Sequence, residues 1–245
     1  MTYCVGLCLS GGLVLLSDTM TNAGLDNISR FTKMFTFERP GERVMALLTS
    51  GNLSITQGVL SRLRHAIRCA EKDPAVPTIL NAESMFQAAQ RVGAEMVRMQ
   101  GEHREAMLRH GASPDASILL AGQRRGGKHR LFLIYAAGNF IKATPDTPFF
   151  QLGEHKYGKP ILDRVITTES SLEVGIKAAF VSMDSTRKSN LSVGMPLDLA
   201  VIEKDALCFR TRRRIEREDP GYADLSRAWS LAIRRGFEDL PPFPE

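Results

Sequence analysis

The hydrophobic period of this chain changes in blocks. Residues 2–49 carry strand spacing, 55–109 two helices, 117–152 strands, 157–183 two more helices, and 197–213 strands again. A βαβ architecture would alternate strands and helices singly. Strand blocks separated by helix pairs fit an α+β fold, a four-layer αββα sandwich of two antiparallel sheets between helix pairs. The first block opens with period-two spacing over Thr2–Leu9. Tyr3, Val5, Leu7 and Leu9 fall on one side and Cys4, Gly6 and Cys8 on the other, so one side is kept small. Gly11-Gly12 marks a turn, and Leu13–Ser17 returns as a second strand ending at Asp18. Thr21–Ile28 is turn-rich. Phe31–Phe37, carrying Lys33, and Val44–Thr49 are short strands around Pro40-Gly41.

Later elements follow from the same reasoning. Ile55, Val59, Leu63 and Ile67 recur at helical spacing, as do Met85, Ala88, Ala89, Val92, Met96 and Met99 within 84–109. The second strand block comprises Ser117–Ala121, Leu131–Ala136, Phe140–Ala143 and Phe149–Leu152. Helices are expected over 157–166 and 171–183, with strands over 197–203 and 206–213. Leu225, Ala228, Trp229, Ala232 and Ile233 mark a last amphipathic helix. These assignments divide the chain into a domain over 1–214 and a helical extension over 215–245, packed on its own or a neighbouring subunit.

Composition excludes several functions. The four cysteines (Cys4, Cys8, Cys69, Cys208) form no CxxC pair and read as buried small hydrophobes in a reducing compartment. The first 20 residues lack a basic leader region, and no apolar run approaches the ~20 residues of a membrane helix, so a cytoplasmic location is expected and no membrane partner. Net charge is +5, with Arg210, Arg212, Arg213 and Arg214 clustered. Glu216, Glu218 and Asp219 follow at once, which favours the exposed side of a strand over a nucleic-acid site. Gly122, Gly127 and Lys128 satisfy the P-loop spacing, but His129 stands where a Ser or Thr should hold magnesium, and a strand follows where a helix is needed. A basic hairpin turn explains Gln123–His129. The five histidines have no metal-ligand spacing, so no metal and no cofactor is expected.

Thr2 directly follows Met1. Removal of Met1 would leave a hydroxyl and a free α-amine on one residue. That amine has an ordinary pKa of ~7.7–8.0 and can take the hydroxyl proton during attack on a carbonyl. The hairpin turned at Gly11-Gly12 brings Thr2 and Asp18 nearly into register. A lysine near the Thr2 hydroxyl would stabilise its alkoxide, and an aspartate beside that lysine would orient it.

Thr2, Leu-Leu-Ser-Asp-Thr at 15–19, the Lys33 segment and Thr-Ser-Gly-Asn at 49–52 resemble proteasome β-type subunits. The resemblance covers residues 2–209 and is strongest to the bacterial ancestral β-subunit branch, Anbu. Thr-Asn-Ala-Gly at 21–24 and two long stretches, 153–164 and 182–194, carry it. The resemblance implies an N-terminal-nucleophile hydrolase, a threonine peptidase acting on peptide or amide bonds. It assigns Thr2 as nucleophile, Asp18 and Lys33 as the activating pair, the Gly51 N–H as oxyanion donor, and Ser192 as a group positioning the amine. It also implies a large homo-oligomer, an open spiral or a ring, with any separate unfoldase unknown. Two positions depart from the pattern. Gly153-Glu154 stands where a Gly-Ser pair is usual, and Ser189 stands where an acidic residue is usual, unless Asp184 reaches in. These departures support an alternative: an assembly protein of the same fold with weak or vestigial catalysis.

Overall fold

A computed structural model describes residues 2–22 and 28–244. Met1, the Ala23-Gly24 half of the Thr-Asn-Ala-Gly run and most of the turn-rich segment therefore lie outside the described residues. In chain order the elements are β1 (Tyr3–Leu9), β2 (Gly12–Asp18), β3 (Met20–Asn22), β4 (Ile28–Arg30), β5 (Met34–Arg39), β6 (Arg43–Gly51), α1 (Leu53–Ala70) and α2 (Met85–Arg109). Then come β7 (Ala116–Arg124), β8 (Arg130–Ile134), β9 (Phe140–Lys142), β10 (Phe149–Gly153), α3 (Lys159–Val165), α4 (Leu172–Ser189), β11 (Leu197–Glu203), β12 (Thr211–Ile215) and α5 (Pro220–Glu238). One five-stranded sheet has the order β10-β1-β2-β11-β12 and the other β5-β6-β7-β8-β9, while β3 and β4 form a separate two-stranded sheet, with antiparallel pairing throughout.

Three cores define four layers. Met45, Leu47, Ile118 and Leu120 pack with Val59, Val92 and Met96 of α1 and α2. Cys4, Leu15, Val44, Leu48, Leu119 and Ala200 fill the space between the sheets. Tyr3, Val5, Leu7 and Leu16 pack with Leu162, Ala179 and Met183 of α3 and α4. This is the expected αββα sandwich. Its geometry explains the small side of β1, which faces the opposite sheet. A Cβ on Gly6 would stand 3.0 Å from Leu131 Cδ1 and 3.1 Å from Leu15 Cδ2, so a larger residue there would wedge the sheets apart.

Several boundaries move. The strand expected over 31–37 begins at Met34, leaving Lys33 just ahead of it. Phe31 N–H bonds Thr19 O at 2.9 Å and Thr49 N–H bonds Lys33 O at 2.9 Å. Residues 31–33 therefore cross from one sheet to the other. The strand expected over 206–213 lies at 211–215, because Asp205 and Leu207 turn the chain with φ of 65° and 54°. Helix α4 runs to Ser189, past the expected end at 183, because its polar last turns meet α5. There Tyr222 Oη donates to Asp184 Oδ1 at 3.0 Å and Trp229 Nε1 donates to Ser185 Oγ at 3.1 Å. Of the cysteines only Cys4 is buried, and Cys208 is exposed, because it lies in the turn before β12. Gln123–His129 is a hairpin turn between antiparallel β7 and β8. Arg210, Arg213 and Arg214 are ion-paired with Glu173 and Glu203, Asp219, and Asp198 respectively.

The first residue of β1 also fixes an alkaline limit on stability. Tyr3 is fully buried, its hydroxyl sharing a 2.5 Å hydrogen bond with Ser182 and accepting one of 2.6 Å from Gln151 Nε2. Burial pushes its pKa from 10.0 up to about 12, against those hydrogen bonds. The unfolded chain ionises Tyr3 near its ordinary value. Stability from the neutral phenol is therefore complete below pH ~10 and is lost as the pH climbs towards ~12. At ~1.4 kcal/mol per pKa unit, the loss is on the order of 3 kcal/mol. Urea midpoints measured from pH 9 to pH 12 should fall steeply in the wild type and less steeply in Tyr3→Phe. Parallel curves would refute the assignment.

Candidate active site

The start of β1, the end of β2, the crossing before β5 and the end of β6 meet at one corner. Asp18 is fully buried, and Tyr3 N–H donates to its Oδ1 at 3.1 Å. Lys33, 4% exposed, donates from Nζ to the same Oδ1 at 2.7 Å and to Met20 O at 2.6 Å. Gly194 N–H approaches Asp18 Oδ2 at 3.4 Å, so the loop after α4 closes over the carboxylate. Burial pushes the Asp18 carboxyl above its usual range, opposed by the Lys33 ammonium and by the Tyr3 and Gly194 N–H groups.

Thr2, Lys33 and Gly51 line one cleft of about 320 Å³. Gly51 ends β6 with φ of 95°, and a Cβ there would strike Asp115 O. Only glycine meets both demands without strain. Asn52 then caps α1, its Oδ1 accepting from Ser54 N at 3.0 Å and Ile55 N at 3.3 Å. The opposite wall is Gly153, paired with Tyr3. Its φ is 77°, and a Cβ there would fall on the Thr2 carbonyl oxygen. Glu154 N–H donates to that oxygen at 2.8 Å, so β10 fixes the main chain of Thr2.

Of the five residues expected at the site, Thr2, Asp18, Lys33 and Gly51 are thus brought to one corner. Ser192 does not line the cleft. It lies on the 190–196 loop, where its N–H donates to Asn190 Oδ1 at 2.9 Å. Asn190 Nδ2 in turn donates to Glu154 Oε2 at 3.2 Å. Glu154 is thus held by Asn190, the residue that follows Ser189. Ser189 itself is exposed. Asp184 does not reach in, since it is buried against Tyr222 of α5. Met20 O, Tyr3 N–H, Gly194 N–H, Gly153 and Asn190 escaped sequence reasoning. Most act through backbone groups, which every residue carries and no residue type advertises.

No protein-family model and no curated protein matches this chain. Solved structures do. An Anbu (Gly-1) mutant from Hyphomicrobium sp. strain MC1 has a TM-score of 0.91 at 42% identity, with 100% of each chain covered. Anbu (ancestral beta-subunit) from Yersinia bercovieri has a TM-score of 0.90 at 40% identity, covering 99% of this chain and 100% of that one. The chain belongs to the Anbu family. A third member, the helical assembly of the Anbu complex from Pseudomonas aeruginosa, has a TM-score of 0.92 at 42% identity, covering 99% of this chain and 98% of that one. Membership agrees with the resemblance to proteasome β-type subunits and with the N-terminal-nucleophile hydrolase fold expected from it. Among the described residues, no helix of this Anbu protein is long and apolar enough to cross a membrane.

Proposed function

We propose that this Anbu protein is a proteasome-like threonine hydrolase that cleaves peptide or other amide bonds with Thr2 after loss of Met1. The observation that carries this reading is the buried Lys33–Asp18 pair in the wall of the cleft that Thr2 lines. In the proposed reaction the Thr2 hydroxyl oxygen attacks the substrate carbonyl while the α-amine accepts the hydroxyl proton. The Lys33 ammonium stabilises negative charge on the attacking oxygen, and Asp18 orients that ammonium. The Gly51 N–H receives the tetrahedral oxyanion, a donor worth roughly 3–4 kcal/mol in acyl transfer. The α-ammonium then protonates the leaving amine. Water, deprotonated by the same amine, adds to the Thr2 ester; as the bond to the Thr2 oxygen breaks, the α-ammonium returns the proton to that oxygen and the acyl group leaves as a carboxylic acid. Ser192 acts in this scheme through the 190–196 loop that covers Asp18. We read residues 1–214 as the hydrolase domain and 215–245 as its helical extension. By analogy with the helical assembly of the Pseudomonas aeruginosa relative, the protein self-associates into a large homo-oligomer.

The Glu154–Asn190 contact favours a second reading, an assembly protein in which the same cleft turns over weakly. Intact mass and a threonine-directed epoxyketone separate the two. The enzyme reading expects a mature chain lacking Met1 and a single covalent adduct on Thr2. Retained Met1, or no adduct on a Met1-free chain, leaves the assembly reading standing.

A further inference from the structure

At the far end of β7 from the Thr2 cleft lies a second, different cleft of about 410 Å³. Ala116 pairs with Gly51 at one end of that strand, and Arg124 lines the second cleft at the other, roughly 26 Å away at strand rise. Arg124, Lys128, Arg130 and Lys142 surround the opening. None of the four takes part in an ion pair among the described residues. Asp205 lies nearby but is held by Gln123 Nε2 at 2.6 Å and pairs with none of the four, so their positive charge outweighs it. The floor is aromatic: Phe140 meets Phe86 at 5.1 Å and Phe132 at 5.5 Å, both edge-on. Phe86 is 55% exposed, an apolar ring open to solvent beside four cations.

The same chain carries a segment of complementary character. α5 is joined to α4 as far as Ser230, whose Oγ accepts from Lys188 Nζ. Every described residue from Leu231 onward is exposed, including Phe237 at 75% and Phe243 at 92%. After Arg235 the sequence has no basic residue but contains Glu238, Asp239 and Glu245 among Phe237, Leu240 and Phe243. Pro241, Pro242 and Pro244 stiffen it, which lowers the entropy lost on docking. Its own cleft is out of reach. Seven residues beyond α5 extend at most ~25 Å, whereas α4 and both sheets put ~30 Å between α5 and the cleft.

We propose that the acidic, aromatic segment 237–245 of one copy docks into the Arg124–Lys128–Arg130–Lys142 cleft of a second copy. Acidic side chains meet the cations and a phenylalanine ring covers the exposed Phe86 edge. The contact joins two different surfaces of the chain, so, when it is not exchanged reciprocally within a pair, it propagates from copy to copy. It rests on the self-association proposed above and is independent of catalysis.

Sedimentation of the full chain over a concentration series tests it. Lys128→Glu/Lys142→Glu and Glu238→Lys/Asp239→Lys should each weaken association by ~10-fold or more, and their combination should recover most of the loss, because like charges then no longer face each other. A labelled peptide of residues 236–245 should bind the wild type, and the same peptide with lysine at 238 and 239 should not. That measurement holds even if a variant misfolds. Assemblies whose size ignores both double variants, or a combination no better than either alone, overturn the docking while leaving self-association intact. A wild type that sediments as one copy at every concentration removes self-association and the docking together. If the peptide does not bind, but tripolyphosphate raises the melting temperature of the wild type and not of Lys128→Glu/Lys142→Glu, the cleft is a small-anion site and the docking is wrong.

Discussion

Thr2→Ala should abolish amide turnover, by on the order of 10⁴- to 10⁶-fold, while leaving the fold intact. The substitution is a narrow one. Alanine is also small enough for the preceding methionine to be removed, so the chain keeps its α-amine, and only the hydroxyl and one methyl group disappear. The Thr2 carbonyl that accepts from Glu154 N–H is unchanged, as is the glycine packed against it. Thr2 is only partly buried, so its stability cost should stay within ~1 kcal/mol. Turnover of fluorogenic peptides and urea midpoints on the same preparations separate chemistry from folding. Thr2→Ser should retain measurable turnover, since the attacking oxygen and its amine remain. In the active enzyme the rate should rise with pH through the α-amine's ordinary range of ~7.7–8.0, because only the neutral amine accepts the hydroxyl proton. Undiminished turnover in Thr2→Ala would end the nucleophile assignment.

Lys33→Ala should cost both stability and turnover. It leaves the fully buried Asp18 carboxylate with its Tyr3 and Gly194 N–H donors but without the ammonium at 2.7 Å. Removing one partner of a buried pair typically costs about 3–5 kcal/mol, since the remaining charge cannot be resolvated. The pH dependence follows from the Asp18 carboxyl, which burial already holds above its usual range. Without the lysine it moves further up, so the protonated acid is favoured in the folded state. Stability is then kept at low pH and lost as pH rises through the raised folded value. Urea unfolding of Lys33→Ala should accordingly show a larger deficit at pH 8 than at pH 5. Asp18→Asn/Lys33→Met removes both charges and should recover much of the stability, because a matched neutral pair has no stranded ion. It should not recover turnover if Lys33 stabilises the alkoxide. A Lys33→Ala variant with wild-type midpoints at both pH values would show that the pair is not coupled as the geometry requires.

The cleft proposed for catalysis and the cleft proposed for docking lie near opposite ends of β7, so substitutions can address one without touching the other. The Thr2 cleft is shaped by strand ends and glycines, whose backbone positions the Thr2 and Lys33 side chains. The second cleft depends on side chains of the β7–β8 turn, where Gly127 and Lys128 imitate nucleotide-binding spacing without the helix that such binding needs. A motif of that kind carries meaning only through the element that follows it, and here the element is a strand.

The period of apolar residues determined the architecture. Burying one face of a strand or helix against one partner writes a repeat of two or 3.6 into the local sequence. The small side of β1 and the stripe from Met85 to Met99 were readable for that reason, and the hairpin turn lies at Ser10-Gly11, one residue before the expected Gly11-Gly12 pair. The sequence likewise placed Thr2 close to Asp18, since a hairpin with a known turn fixes its own register. Tertiary structure alone decided the rest. Gly153 lies 151 positions from Thr2 and Gly194 lies 176 from Asp18, and contacts closed over such separations leave no period behind. The same is true of the Glu154–Asn190–Ser192 chain, which joins β10 to the loop after α4. Local burial patterns are written residue by residue. The cleft is made by strand ends from distant parts of the chain, so its shape exists only once both sheets have stacked.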